Sequence, residues 1–153
     1  MNPFKASLNT NQNCSAVAWG NFLLRVSVGL MVFYIHGLHK LEGGIVYLRD
    51  GTPWQLVKVV AEMHAPAPFA SALAATLVQF ICSLFIVVGL YTRINALLLT
   101  FALSGAILQN ILAGDDPQLA ILYTLIVATL VFMGGGRFSL DAKWFNKLPS
   151  DIQ

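Results

Sequence analysis

Four long apolar stretches constrain the fold of this chain more than any other feature of its sequence. They cover residues 16–38, 67–91, 94–113 and 118–136. A helix needs about 20 apolar residues to cross the hydrocarbon core of a bilayer, and its backbone polar groups are then satisfied internally. None of the stretches alternates polar and apolar residues with a period of two, as membrane β-strands do. We therefore predict four membrane-spanning helices.

The composition also indicates that lipid is the solvent. Of the 153 residues, 57% are hydrophobic and 10% are charged, whereas soluble domains carry about 25% charged residues. The net charge of +2 is too small to indicate binding to nucleic acid. Short connections follow the second and third stretches, which places neighbouring helices antiparallel. The predicted fold is an all-α membrane protein, an antiparallel bundle of four transmembrane helices.

The segments outside the spans are polar or amphipathic. Residues 1–15 form a polar N-terminal segment, the membrane domain covers 16–136, and residues 137–153 are expected to be a cytoplasmic or interfacial tail. The segment 39–66 is the one substantial connection. From Pro53 onward its apolar residues recur at helical spacing, which predicts a short amphipathic helix lying on the membrane surface.

Basic residues near the spans predict the orientation, because cytoplasmic segments carry an excess of lysine and arginine. With four spans, the side that holds both termini carries five such residues and the other side carries three. The five are Lys5, Arg93, Arg137, Lys143 and Lys147. Both termini are therefore expected in the cytoplasm. No small-residue cleavage site follows the first apolar stretch, so we expect it to remain as an anchor.

One stripe of polar residues runs along the first predicted helix. At helical spacing, Arg25, Gly29, His36 and Lys40 fall within an arc of about 60°, and we expect this arc to face the bundle interior. Ionisable groups inside a membrane cost about 2.5 kcal/mol or more, which marks them as functional candidates. The alternatives are that Arg25 snorkels to the interface and that His36 and Lys40 only mark the end of the span.

His36 and Lys40 are the candidate catalytic residues. A histidine titrates near neutral pH, so His36 is suited to exchange a proton with a carbonyl or quinol oxygen. Lys40 would stabilise developing negative charge. Arg25, Gln79 and Asn110 are the candidate ligand-binding residues. For Gln79 and Asn110 the alternative is hydrogen bonding between helices.

The sequence predicts no metal site and contains no flavin or haem motif. His36 and His39, with His64, would be the alternative metal ligands, but no carboxylate lies at an assured distance from them. Cys14 and Cys82 form no CxxC motif and are expected to be inert thiols. The glycines at 134–136 lack the spacing of a phosphate loop.

Three ordered motifs resemble the DoxX family of small bacterial membrane proteins. They are "HGLHKL" after a helix that contains an arginine, "LVQF…VVGLYTRINALLL", and "GGGRFSLD", and together they extend from Arg25 to Asp141. The resemblance implies a four-helix bundle in the bacterial inner membrane with a link to redox processes, since relatives include subunits associated with thiosulfate:quinone oxidoreductase.

The resemblance also carries over individual residues. In the first motif the matching residues are His36 and Lys40. The other two motifs contribute Arg93, Arg137 and Asp141, and the resemblance implies that these three are structural or partner-binding residues. A plain surface ion pair of Asp141 with Arg93 or Arg137 is one alternative. The chain departs from the family at Gln79, where many relatives have glutamate. The missing carboxylate weakens an assignment of proton-coupled chemistry.

These observations predict a redox-associated, quinone-linked subunit of the bacterial inner membrane. A subunit of a quinone-linked oxidoreductase is the enzyme class considered, and turnover by the chain itself is left open. Because no electron-carrying motif is present, electrons would come from a protein partner, and the chain itself would contact the lipid bilayer. The alternative is a non-catalytic scaffold or accessory factor that binds a partner through segments 39–66 and 137–153, or that forms a homo-oligomer. A small transporter is a weaker third reading.

Overall fold

The computed structural model describes residues 10–145 of the protein, with side chains from residue 15 to residue 144. All regular structure within this range is helical. The elements are α1 (Thr10–Val32), a π-helical segment (Phe33–Leu38), α2 (His39–Asp50), α3 (Gln55–Glu62), α4 (Pro68–Val88), α5 (Thr92–Ala113), α6 (Gln118–Met133) and α7 (Leu140–Phe145). Expectations about Lys5, Lys147 and the Cys14 side chain lie outside the described residues.

In the described part of the chain, three helices are long and apolar enough to cross a membrane, which confirms the all-α membrane class. They are Ser15–Asp50, Pro68–Val88 and Thr92–Ala113. The fourth predicted span corresponds to α6, which is apolar but has only 16 residues. Large side chains such as Phe101 and Phe132 are 71% and 82% exposed, as expected for surfaces that face lipid rather than water.

The first helix continues further than the sequence suggested. We expected residue 39 to begin the connecting segment, but the π segment and α2 extend the helix to Asp50. It ends at Gly51, which has a φ of +68° and donates its N–H to Tyr47 O at 3.1 Å. Gly43 and Gly44 remain helical and form a notch for Trp54. A Cβ atom at either position would lie 3.0 to 3.1 Å from the Trp54 ring.

The predicted amphipathic helix is present as α3. Its buried residue Leu56 forms a small core with Trp54 and Ala72, and Phe69 packs against that core. This contact fixes α3 to the beginning of α4. Its position on the membrane surface stays a prediction.

The main core lies between α1, α4, α5 and α6. Its fully buried members include Val32, Ile86, Leu99, Leu103, Val127 and Leu130. Gly29 allows α1 to approach α4 closely, because a Cβ atom there would lie 2.6 Å from Val87 Cγ2 and 3.1 Å from Ser83 O. The expected inward direction of the polar stripe is confirmed for Arg25, which is 1% exposed, while Tyr34 on the opposite side is exposed.

Candidate functional site

The π segment places His36 against α4. π-Helical turns are rare and occur often at functional sites. Gly37, the next residue, is buried, and a Cβ atom there would lie 3.1 Å from Phe80 Cα and 3.5 Å from Gln79 O. A glycine at this position therefore brings the backbones of the π segment and α4 into contact beside His36.

His36 is half-buried and contacts α6. Its ring packs edge-to-face against Tyr123, with 5.7 Å between the centroids and 82° between the planes. The Nε2 atom of His36 is buried and has no hydrogen-bond partner among the described residues. The imidazole is thus held by packing while one ring nitrogen stays available to a small molecule or a water.

Gln79 carries a buried amide group in the middle of α4. It is 0% exposed, and neither Oε1 nor Nε2 has a hydrogen-bond partner in the described part of the chain. Its neighbours on the same helix are satisfied, since Thr76 Oγ1 donates to Ala72 O and Ser83 Oγ donates to Phe80 O, both at 2.9 Å. Leaving a buried amide without partners costs about 1–3 kcal/mol. Gln79 therefore fits a role in binding a polar group of a ligand.

Lys40 follows His36 by one helical turn and opens onto a cavity. Lys40 is half-buried and helps to line a space of about 560 Å³, within the range of about 300–1,000 Å³ for ligand pockets. Walls come from α2, α3 and the turn between them, and Gln109 of α5 contributes an amide. Trp54 supplies an aromatic surface, and His39 and Glu42 also line the space. The cavity thus combines a cation, a carboxylate, an imidazole, amides and a flat ring.

Arg25 lies at the other end of the bundle. Its Nη1 donates to Gly135 O at 2.5 Å and its Nη2 donates to Phe138 O at 3.0 Å. The guanidinium carbon is also 5.7 Å from the centre of the Phe22 ring. His36 is eleven residues later, about 16 Å along a helix axis. The structure therefore separates Arg25 from His36 and commits its guanidinium to the segment after α6.

Asp141 caps the beginning of α5. Its carboxylate accepts hydrogen bonds from Tyr91 N at 2.7 Å, from Thr92 N at 3.0 Å and from Thr92 Oγ1 at 3.1 Å. The first N–H groups of a helix lack intrahelical partners, and a carboxylate satisfies them well. The suggested ion pair with Arg93 or Arg137 is not formed in the described structure, and both arginines are exposed.

Asn110, His39 and His64 are the remaining predicted residues. Asn110 is half-buried near the end of α5, and its backbone carbonyl accepts the Asp115 N–H at 2.9 Å. Its neighbour Gln109 lines the Lys40 cavity. His39 is exposed and also lines the Lys40 cavity, and His64 is exposed. In residues 10–145 no three His, Cys, Asp or Glu side chains are close enough to hold a metal ion.

Sequence reasoning missed Tyr123, Trp54 and Gln109 as parts of the site. Gln109 carries a usable signal, because an amide near the end of an apolar helix is uncommon. The adjacent glycines 43 and 44 indicate a close contact, although nothing local identifies Trp54 as the partner. Tyr123 is one aromatic residue in an apolar helix, and only the packing of α6 on the π segment distinguishes it.

Comparisons with known proteins agree with the sequence motifs. The model of the DoxX family matches residues 20–111, which is more than half of the chain. An uncharacterized protein of Haemophilus influenzae is 31% identical over 84 residues, and the alignment covers 49% of this chain and 63% of that relative. The chain thus spans less than two thirds of the length of this relative. No solved structure matches the chain.

Proposed function

Because the chain belongs to the DoxX family of small membrane proteins, we propose that it is a redox-associated, quinone-linked membrane subunit. The quinone head would bind beside His36, Gln79 and Lys40. The observation that carries this proposal is the Gln79 amide. It is fully buried next to the contact of α4 with the π segment, and no described residue gives it a hydrogen bond.

The residues present fit an apolar ligand with carbonyl oxygens. Gln79 Nε2 can donate to such an oxygen, and so can the Lys40 ammonium from the cavity wall. The cavity of about 560 Å³ accommodates a ring of this size, and Trp54 offers a flat surface for stacking. Of the three proposed ligand contacts only Lys40 lines this cavity, so the ligand would extend from it toward His36 and Gln79. A quinone bound there supplies coupled electron and proton transfer.

The protein would orient the ligand and handle protons. His36 Nε2 is the atom assigned to exchange a proton, because the other contacts of the ring hold it in place and leave this nitrogen without a partner. Lys40 would stabilise negative charge at the ligand oxygen. Gln79 cannot accept a proton as a carboxylate would, so it serves as an orienting hydrogen-bond donor.

The electrons would come from a protein partner, since the sequence has no flavin, haem or iron–sulfur motif. We also propose a bacterial inner-membrane location, four antiparallel spans and cytoplasmic termini. The excess of basic residues on the side of the termini supports this orientation. α6 would be a short fourth span of about 24 Å, and local thinning of the bilayer accommodates such helices.

The test is to purify the protein in mild detergent, extract it with solvent and measure copurified quinone. Binding of added ubiquinone is then followed by quenching of tryptophan fluorescence. Gln79→Leu and His36→Ala should both reduce binding. Gln118→Leu and His64→Asn are the matched controls at exposed positions and should leave binding unchanged. Absence of quinone from the extract, together with unchanged binding in Gln79→Leu and His36→Ala, would overturn the proposal.

A non-catalytic scaffold is the alternative function. It is favoured by the finding that Arg25 and Asp141, two of the motif residues, are occupied by contacts within the chain. The exposed surface of segment 39–66 and the tail would then bind the partner. Copurification of a defined partner without quinone, abolished by substitutions in segment 39–66, would establish this reading in place of the first.

A further inference from the structure

A second cavity lies at the end of the bundle opposite to His36. It has a volume of about 480 Å³ and lies between the beginning of α5, the glycines at 134–136 and the beginning of α7. Arg93 and Asp141 both line it. No part of the proposed quinone site contributes to this space.

The charge around this cavity is basic. Arg93 is exposed and forms no ion pair in the described structure, and its side chain lies against the glycine run, with Nε 3.2 Å from the position of a Cβ atom on Gly134. Arg137 and Lys143 are exposed and follow lining residues directly in the sequence. Five of the seven acidic residues of the chain lie in segments at the other end, between Glu42 and Asp116.

Among the described residues, Asp141 is the acidic residue that lines the cavity. Its carboxylate keeps its charge but accepts three hydrogen bonds from Tyr91 and Thr92, and it makes no ion pair with Arg93 in the described structure. The guanidinium of Arg93 therefore has no direct anionic partner among the described residues.

Backbone donors add to this cation. The N–H groups of Gly135 and Gly136 make no hydrogen bond in the described structure. Gly135 cannot carry a side chain without displacement, since its Cβ atom would lie 2.7 Å from Ser139 Oγ and 2.8 Å from Thr92 Oγ1. The loop is thus held close to two hydroxyl groups while its own N–H groups remain available to an acceptor.

Aromatic side chains cluster at this end of the bundle, which is where we expect lipid headgroups to lie. Trp19 and Phe138 pack with 4.8 Å between ring centroids, and Phe22 lies within 6.0 Å of Phe138. Trp19 and Phe138 are exposed. Aromatic residues gather at membrane–water interfaces, and basic pockets between helices at this level bind lipid phosphates.

We propose that the cavity at Arg93 binds the phosphate of an anionic phospholipid. Arg93 pairs with the phosphate oxygens, Gly135 and Gly136 donate from the backbone, and Arg137 and Lys143 provide the surrounding positive field. The acyl chains lie along the exposed apolar side chains of α5 and α6. This site is independent of the quinone proposal.

The test is a lipid titration of the purified protein followed by native mass spectrometry, with phosphatidylglycerol and phosphatidylcholine as probes. The wild type should retain phosphatidylglycerol in preference to phosphatidylcholine. Arg93→Gln should weaken retention roughly tenfold, the loss of about one charge-assisted hydrogen bond, and Arg93→Lys should keep most of it. Arg49→Gln, an exposed arginine in α2, is the matched control and should have no effect.

Helical circular dichroism establishes that each variant is folded. If Arg93→Gln does not fold, Arg137→Gln removes a different positive charge near the same cavity. Equal effects of Arg93→Gln and Arg49→Gln, or equal retention of the two lipids, would overturn the proposal. So would displacement of bound lipid by millimolar inorganic phosphate, because the site would then recognise free phosphate. Loss of the phosphatidylglycerol preference in Arg93→Gln, with the preference kept in Arg49→Gln, supports the proposal.

Discussion

Arg25 Nη2 donates a hydrogen bond to the carbonyl oxygen of Phe138 at 3.0 Å, although the two residues lie 113 positions apart. This bond and the one to Gly135 hold the segment after α6 against α1. Asp141 then reaches the beginning of α5. The arginine, the "GLYTR" turn and the "GGGRFSLD" segment, which carry the family resemblance, thus meet in one structural junction.

We expect replacement of Arg25 by methionine to reduce the free energy of unfolding by about 2–3 kcal/mol, because two carbonyl groups lose a charged donor. Arg49→Met changes an exposed arginine and should cost less than about 0.5 kcal/mol. Unfolding in mixed micelles of mild detergent and dodecyl sulfate measures both variants. Equal effects would show that the two hydrogen bonds of Arg25 contribute nothing to stability.

Gly89→Ala should destabilise the protein more than Gly114→Ala. Both glycines end helices at positive φ, +75° and +74°, so each alanine costs about 1–2 kcal/mol for the backbone conformation. Only at Gly89 would the new Cβ atom overlap Arg25 Nη1 and lie 2.6 Å from Ser139 Cβ, whereas Gly114 has open space around it. Thermal unfolding of the two variants isolates the packing effect, and an identical loss would contradict the close approach at Gly89.

Asp141→Ala should reduce the free energy of unfolding by about 1 kcal/mol or more, since the carboxylate satisfies the beginning of α5. Asp116→Ala is the matched control, because its carboxylate accepts one exposed N–H, from Gln118 at 2.9 Å. Denaturation in detergent checks the difference. Greater protection of the α5 amides from hydrogen exchange in Asp141→Ala than in the wild type would refute the capping role.

Gln79→Leu should leave the stability of the ligand-free protein unchanged or raise it by about 1 kcal/mol, because it removes a buried amide that has no partner. The same change should reduce ligand binding, because a residue that binds a ligand can lower the stability of the ligand-free protein. Thermal unfolding with and without added ubiquinone measures both effects. A large loss of stability in the ligand-free variant would mean that the amide has a partner within the protein.

Gly37→Ala should disturb the site, since its Cβ atom would lie 3.1 Å from the backbone of Phe80. A contact with backbone is not relieved by rotation of a side chain, so the π segment must move away from α4. Gly105→Ala is the matched control in α5, where no atom lies within 4 Å, and it should gain up to about 1 kcal/mol from helix propensity. Unfolding measurements should give opposite signs for the two variants.

Hydropathy predicted most of the helical boundaries to within a few residues. The stretches 67–91 and 94–113 correspond to Pro68–Val88 and Thr92–Ala113. The extension of the first helix to Asp50 was missed, because two glycines and several polar residues read locally as a connection. Trp54 stabilises the helix there, and it lies beyond the turn at Gly51, so no local pattern reports the contact.

The candidate site was predicted only in part. The angular stripe of Arg25, His36 and Lys40 placed these residues inward, since helical period is a local property. It did not show that Arg25 and His36 lie at different ends of the bundle, nor that His36 belongs to a π-helical segment. The pairing of His36 with Tyr123 also depends on how α6 packs, and α6 lies some 80 residues later in the chain.

The sequence by itself determined that this protein is helical and enters the membrane, and that its first span carries an inward polar stripe. Hydropathy and period are sums over neighbouring residues, so they need no knowledge of the fold. Only the tertiary structure decided which polar groups find partners. Arg25 reaches two carbonyls and Asp141 reaches Thr92, whereas the Gln79 side chain has no hydrogen bond within the described residues. These outcomes depend on how distant helices pack together, because each polar partner is brought into place by a segment far away in the chain.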